Sequence, residues 1–300
     1  MVTQPVYAVR FAAMASDCEV MLPAPDRAAA ERLARCAIDE VRRIETKYSR
    51  YRPDSIVSRI GAAAGREWVA LDAETAGLLG YADALFQSSG GRFDITSGVL
   101  RRAWDFRAAR VPDDAELAPL LELIGWDQVQ RRPDAVRLPR AGMELDFGGF
   151  GKEYAADRAA AMLAAQGVRH GYVNLGGDLR ALGPQPDGSP WRIGIQDPRD
   201  ADGIIASLPL ASGALATSGD YERFMEVDGQ RHCHILDPRT GRSCGHWRSV
   251  SVLAPLTVAA GSYTTIAMLK GEAGLDFLDG CGLAYLAIDR HGQVFKREAD

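Results

Sequence analysis

No stretch of this chain approaches the roughly 20 consecutive apolar residues that a membrane-spanning helix needs, so no membrane span is expected. The opening segment, Met1-Val2-Thr3-Gln4-Pro5-Val6-Tyr7, lacks a basic stretch followed by an apolar one, so it predicts no secretory signal. Cysteine is scarce: five residues at 18, 36, 233, 244 and 281, scattered and odd in number. That pattern fits reduced thiols better than a disulfide framework and predicts a cytoplasmic protein. Basic excess is also missing. Lys and Arg total 35 against 40 Asp and Glu, a formal net charge of −5, which argues against a nucleic-acid partner. The pairs Arg42-Arg43, Arg101-Arg102 and Arg131-Arg132 are dispersed and read as solvated faces. No internal repeat or low-complexity linker divides the chain, and residues 184–190 form only a loop.

What is present is ordinary for a globular protein: 300 residues, 47% hydrophobic and 25% charged. Residues 6–14 and 18–22 read as strands around a tight turn. Asp26 is placed to cap a helix in which Leu33, Ala37, Ile38, Val41 and Ile44 recur at helical spacing. A second helix starts near Asp72 and stops at Gly90-Gly91, and a third is capped by Asp113 or Asp114. Residues 144–147 predict a strand leading through glycines into a helix over about 152–166, with Gly167 just past its end. Strands are expected at 172–175, 191–195, 204–210, 222–227, 232–236 and 249–254, then a helix near 262–270 and a terminal hairpin. Helices interrupt strands without regular alternation, and several strands join by short turns. The fold class is therefore α+β with antiparallel pairing.

Several segments have the composition of ligand loops. Asp146-Phe147-Gly148-Gly149-Phe150-Gly151-Lys152 places glycines, a helix start and a lysine together, a combination suited to an anion. It also reads as a plain glycine turn. Asn174-Leu175-Gly176-Gly177-Asp178 and Arg92-Phe93-Asp94-Ile95-Thr96-Ser97-Gly98 are polar turns that by themselves indicate only local backbone satisfaction. Ala216-Thr217-Ser218-Gly219-Asp220-Tyr221-Glu222-Arg223 joins small residues to an acidic, aromatic and basic run, and His234-Ile235-Leu236-Asp237-Pro238-Arg239-Thr240-Gly241 follows it. His232, His234, Cys244 and His246 alternate on two strands in a way that permits a zinc site, though their spacing matches no common zinc motif.

Taken in order, and with Met14-Ala15-Ser16 and Tyr48-Ser49-Arg50-Tyr51-Arg52-Pro53-Asp54-Ser55, these segments resemble the FAD:protein FMN transferase family, the ApbE-like flavin transferases. The resemblance extends over nearly the whole chain and implies a single domain over residues 1–300, with mixed and antiparallel sheets, packed helices and a flavin cleft between two lobes. It implies transfer of FMN from FAD to a Ser or Thr hydroxyl of an acceptor protein, with Mg²⁺ and release of AMP, a flavinylation reaction. By the same resemblance His234 is the catalytic residue, and a neutral imidazole suits proton acceptance near neutral pH. Met14, Tyr51, Phe93, Asp94, Thr96, Asp146, Lys152, Gly219, Asp220 and Ile235 fall in segments that line the FAD pocket. The Gly151 carbonyl and Thr265 fall at metal-ligand positions.

The chain departs from the family pattern at the metal helix, whose Ala-Asp-x-x-x-Thr here reads Ala260-Gly261-Ser262-Tyr263-Thr264-Thr265. Gly261 stands where the aspartate is expected. Glu153 stands where a glycine usually follows the lysine, Met14-Ala15-Ser16 replaces Met-Gly-Thr, and an asparagine usual near Gly61 is absent. Mg²⁺ favours oxygen ligands and usually a carboxylate, so a weakened metal site is expected, and Gly261→Asp is expected to strengthen it. Asp146, Glu153 and Asp220 are the candidate replacement carboxylates. The alternatives are a catalytically impaired FAD- or nucleotide-binding homologue with an accessory role, and an FAD hydrolase.

Overall fold

The computed structural model describes residues 4–298. Residues 1–3, part of the segment read above for a secretory signal, lie outside the described residues. The chain opens with strands β1 (Val6–Ala13) and β2 (Ser16–Pro23), then helices α1 (Arg27–Tyr48) and α2 (Ile56–Ala62). A short β3 (Val69–Ala70), α3 (Ala73–Ser88) and α4 (Asp114–Leu121) precede β4 (Gln130–Arg132) and β5 (Ala135–Arg137). Helix α5 (Gly151–Ala165) leads to β6 (Gly171–Leu175), β7 (Asp178–Gly183), β8 (Trp191–Asp197), β9 (Asp200–Leu210) and β10 (Gly213–Gly219). The rest comprises β11 (Phe224–Val227), β12 (Gln230–Cys233), β13 (Trp247–Ala254), α6 (Thr257–Lys270), α7 (Gly274–Gly280), β14 (Ala284–Asp289) and β15 (Val294–Arg297).

The frame is an eight-stranded sheet in the order β1-β2-β6-β7-β10-β13-β14-β15. Every neighbouring pair in it is antiparallel. Helices α1, α5 and α6 lie side by side against this sheet. Alanine makes that approach close: Ala30, Ala34 and Ala37 of α1, Ala155, Ala156 and Ala159 of α5, and Ala260 and Ala267 of α6 are all fully buried. Leu163 fills the remaining volume on α5, and its burial contributes about 2 kcal/mol. Of the smaller sheets, the β8–β9 and β11–β12 hairpins carry residues that reach the candidate site.

Helix starts follow local chemistry. Asp26, Asp72 and Asp113 each accept a backbone N–H in the first turn of α1, α3 and α4, and Glu116 completes a capping box on α4. Gly90, Gly91 and Gly167 take positive φ after their helices, as the sequence predicts. Three expectations about the elements around the site differ. Residues 144–147 form no strand, because Asp146 N–H donates to Ile95 O at 2.8 Å while the Phe147 carbonyl turns forward to accept from Phe150 and Gly151 at the start of α5. Helix α6 begins at Thr257, not near 262, because Asp157 accepts the first-turn N–H groups of Thr257 and Val258 from another helix. The central strand β10 was not expected at all.

Candidate active site

The site gathers where α5 begins, beside β7, β10 and α6. The glycine segment before α5 bends over an aromatic bed. Phe147, Phe150 and Phe93 pack together with Tyr48 and Tyr81 beneath it. A Cβ at Gly149 would lie 2.8 Å from the Phe93 ring, and one at Gly98 would lie 2.7 Å from Asp146 Cβ, so both positions need glycine. Asp146 fixes the loop through Oδ1, which accepts the Gly148 N–H at 2.8 Å, and through an ion pair from Oδ2 to Arg50. No side chain caps α5, and its positive end faces the site with Glu153 as the acidic residue of its first turn.

Lys152, in the first turn of α5, donates to Asp178 at 2.9 Å and to the Gly176 carbonyl at 3.1 Å. Burial works against its charge, but Asp178 and Glu153 outweigh that and hold its pKa up to about 12. Glu153, the next residue, is buried, and its Oε2 has no hydrogen-bond partner. Burial, and then the Asp178 carboxylate, push its pKa upward. Its side chain lies across Gly261 of α6, where an added Cβ would be 2.5 Å from Glu153 Cγ and 2.7 Å from Oε1. Thr265 stands one helical turn beyond Gly261 and meets Ser218 at 3.3 Å. The Gly151 carbonyl lies at the start of α5, in the same turn as Glu153. These groups are all hard oxygen donors, the set Mg²⁺ takes, and an orphaned carboxylate beside them makes the residues fit such an ion.

His234 follows β12 and is open to solvent, though protein crowds it on several sides. Its Nδ1 lies 3.3 Å from the Arg223 carbonyl, to which its own N–H donates at 3.0 Å. Desolvation lowers its pKa below the ordinary 6.5, and the charges of Arg223, Lys152 and Arg50 act in the same sense. The next segment is anchored firmly. Asp237 binds Arg92 at 3.0 Å, and Gly241, at φ 68°, closes the turn by donating to the Asp237 carbonyl at 2.8 Å. Tyr51 is 74% exposed, and its hydroxyl accepts from Arg50 at 2.8 Å. Desolvation would raise that phenol, yet Arg50, Arg223 and Arg101 pull it below its ordinary value, a sign of positive charge converging here.

The other residues singled out in the sequence are placed differently from one another. Met14 and Ala15 form the tight β1–β2 turn at φ 52° and 56°, and Met14 N–H donates to Glu45 at 2.7 Å. Phe93 and Ile235 are buried. Asp94 and Thr96 are turned into an internal knot: Asp94 accepts from Thr96 N, Thr96 Oγ1 and Trp126 N, while Thr96 accepts from Gly125 N. They define the loop's shape, and their side chains are already paired. Asp220, after Gly219 at the end of β10, is held by both nitrogens of Arg199 at 2.7 Å each. The His232, His234, Cys244 and His246 set does not converge, and among the described residues no three His, Cys, Asp or Glu side chains group as a metal cluster. His232 packs on Trp104 and His246 on Trp247.

Arg50, Asp178, Arg199 and Arg223 belong to the site's charge pattern and were not singled out from sequence as site residues. Three of them lie inside the quoted motifs, where the neighbouring glycines and aromatics gave the stronger signal. Arg199 follows an Asp197-Pro198 turn on a hairpin that carries no glycine signature. A cavity of about 230 Å³ opens beside Arg50 and Arg101, and another of about 280 Å³ lies by Lys47 and Asp72, away from these groups.

An α+β frame with a cationic, glycine-lined site at a helix start is an arrangement suited to an anionic ligand. The ApbE family model matches residues 14–287, and the chain belongs to that family. It is 33% identical over 282 residues to a protein of Klebsiella pneumoniae (strain 342) named FAD:protein FMN transferase, covering 92% of this chain and 84% of that one. Among solved structures it is similar to the ApbE protein of Thermotoga maritima, with TM-score 0.90 and 31% identity, covering 98% of this chain and 97% of that one. It is also similar to the Pseudomonas stutzeri flavinyl transferase ApbE, with TM-score 0.87 and 30% identity, covering 100% and 96%. No helix among the described residues is long and apolar enough to cross a membrane.

Proposed function

We propose that this protein transfers FMN from FAD to a Ser or Thr hydroxyl of an acceptor protein and releases AMP. The observation that carries this reading is His234, held toward its neutral form among Arg50, Lys152 and Arg223, beside the uncapped start of α5. Arg50, Lys152 and the first N–H groups of α5 bind the pyrophosphate, and the glycines let its oxygens approach the backbone. His234 Nε2 accepts the proton of the acceptor hydroxyl as that oxygen bonds to the FMN phosphorus. The phosphorus–oxygen bond to the AMP portion breaks, and the cations hold the charge that develops on the departing phosphate. Met14, Tyr51, Phe93, Gly219 and Ile235 belong to the segments that shape the flavin's surroundings. Mg²⁺, held by the Gly151 carbonyl and Thr265, supplies further charge neutralisation on the pyrophosphate when bound.

The test combines purified protein, FAD, MgCl₂ and a Ser/Thr acceptor protein. AMP release together with a fluorescent, flavin-modified acceptor supports transfer. AMP and free FMN without modification make the protein an FAD hydrolase. FAD binding with neither product makes it an accessory, non-catalytic homologue.

A further inference from the structure

Asp146, Asp178 and Glu153 lie at the start of α5, and the first two are already paired, Asp146 with Arg50 and Asp178 with Lys152. Glu153 is the exception: only 7% exposed, with Oε2 buried and without a partner. Its charged form is costly in such a place and is held there only when a cation meets it. Lys152, the ammonium nearest in sequence, is already committed to Asp178 and the Gly176 carbonyl. The side chain of Glu153 lies in the space directly above Gly261, where even a single added carbon would be 2.5, 2.7 and 2.9 Å from Cγ, Oε1 and Cδ. Its carboxylate thus occupies volume that a side chain at 261 would enter; Gly151 lies two residues before it on α5, and Thr265 one turn beyond Gly261 on α6.

We propose that Glu153 is the carboxylate ligand of a divalent cation, reaching across from α5 into the place left by Gly261. This inference rests on the reading of the site as a Mg²⁺-assisted flavin transferase and assigns its missing ligand. A divalent ion balances the second of two adjacent carboxylates that share one ammonium, and its hard oxygen donors are Glu153, Thr265 and the Gly151 carbonyl. It also overturns the expectation that Gly261→Asp alone strengthens the metal site. With Glu153 in place, a side chain at 261 must push the Glu153 side chain aside. The productive change is the double exchange, Glu153→Gly with Gly261→Asp.

The test is Mn²⁺ binding by electron paramagnetic resonance, with and without FAD and with Mg²⁺ as competitor. Wild type is expected to bind one Mn²⁺ that Mg²⁺ displaces. Glu153→Gln keeps the shape and removes the charge, and is expected to weaken binding about tenfold or more. Gly261→Asp alone is expected to bind no tighter than wild type and to melt earlier, whereas the double exchange regains binding. Wild-type Mn²⁺ affinity in Glu153→Gln, or no Mn²⁺ bound by wild type in either condition, overturns the assignment. Metal-free FAD binding, followed by quenching of flavin fluorescence, separates the two readings. FAD binding without a cation effect removes Glu153 as ligand and leaves the flavin reading standing. Mn²⁺ binding lost in Glu153→Gln, with no FAD bound by wild type, keeps the ligand and removes the flavin reading.

Discussion

At the scale of single residues, the β1–β2 turn and His234 each make a measurable claim. Ala15 holds φ at 56° in a two-residue turn, a region where a side chain is strained. Ala15→Gly is expected to stabilise the protein by about 1 kcal/mol, measured as a higher midpoint in urea with an unchanged slope. No change in midpoint would mean that the turn carries no strain. His234 titrates below its ordinary 6.5, through desolvation and three neighbouring cations. A base must be neutral to accept a proton, and a lowered pKa keeps it neutral to lower pH. The acid limb of kcat/KM for transfer, which reports the free protein, should therefore fall below pH 6.5. A limb at or above that value removes His234 as the base. His234→Ala should lower transfer by about a hundredfold while FAD affinity stays close to wild type. The type and position of His234 were legible in the motif around it. Its company of Arg50, Lys152 and Arg223 was not, because those residues arrive from α1's end, α5 and the approach to β11.

At the scale of elements, the sequence was clearest where a local device sets an end. Asp26, Asp72 and Asp113 cap helices, and Gly90, Gly91 and Gly167 end them. It was least clear where burial alone decides. Strand β10, Gly213-Ala214-Leu215-Ala216-Thr217-Ser218-Gly219, lacks the β-branched alternation of a recognisable strand, yet β7 and β13 flank it on both sides. Helix α2 is too short for a periodic signal to emerge from the Tyr48–Ser55 break. The β8–β9 hairpin adds a contact that no local pattern announces, since Arg199 fixes Asp220 with two bonds of 2.7 Å. Arg199→Met leaves a buried carboxylate with much weaker support and is expected to cost about 2–3 kcal/mol, read by chemical unfolding. A loss under about 0.5 kcal/mol would reduce the pair to an ordinary surface ion pair.

At the scale of the whole molecule, a chain of formal net charge −5 presents a local concentration of positive charge around Tyr51 and His234. Attraction between that region and a pyrophosphate is partly exposed to salt. Raising NaCl from about 0.05 to 0.5 M is expected to weaken FAD binding about threefold or more, as the screening length shortens. Salt-independent binding would place the phosphates away from these cations. The α+β frame and the order of its motifs could be read along the chain, whereas the meaning of Gly261 could not, because Glu153 becomes its neighbour only when α5 and α6 pack. That packing makes 153 and 261 joint tenants of a single volume: a side chain at 261 can settle only where Glu153 gives way, so each position constrains what the other can become.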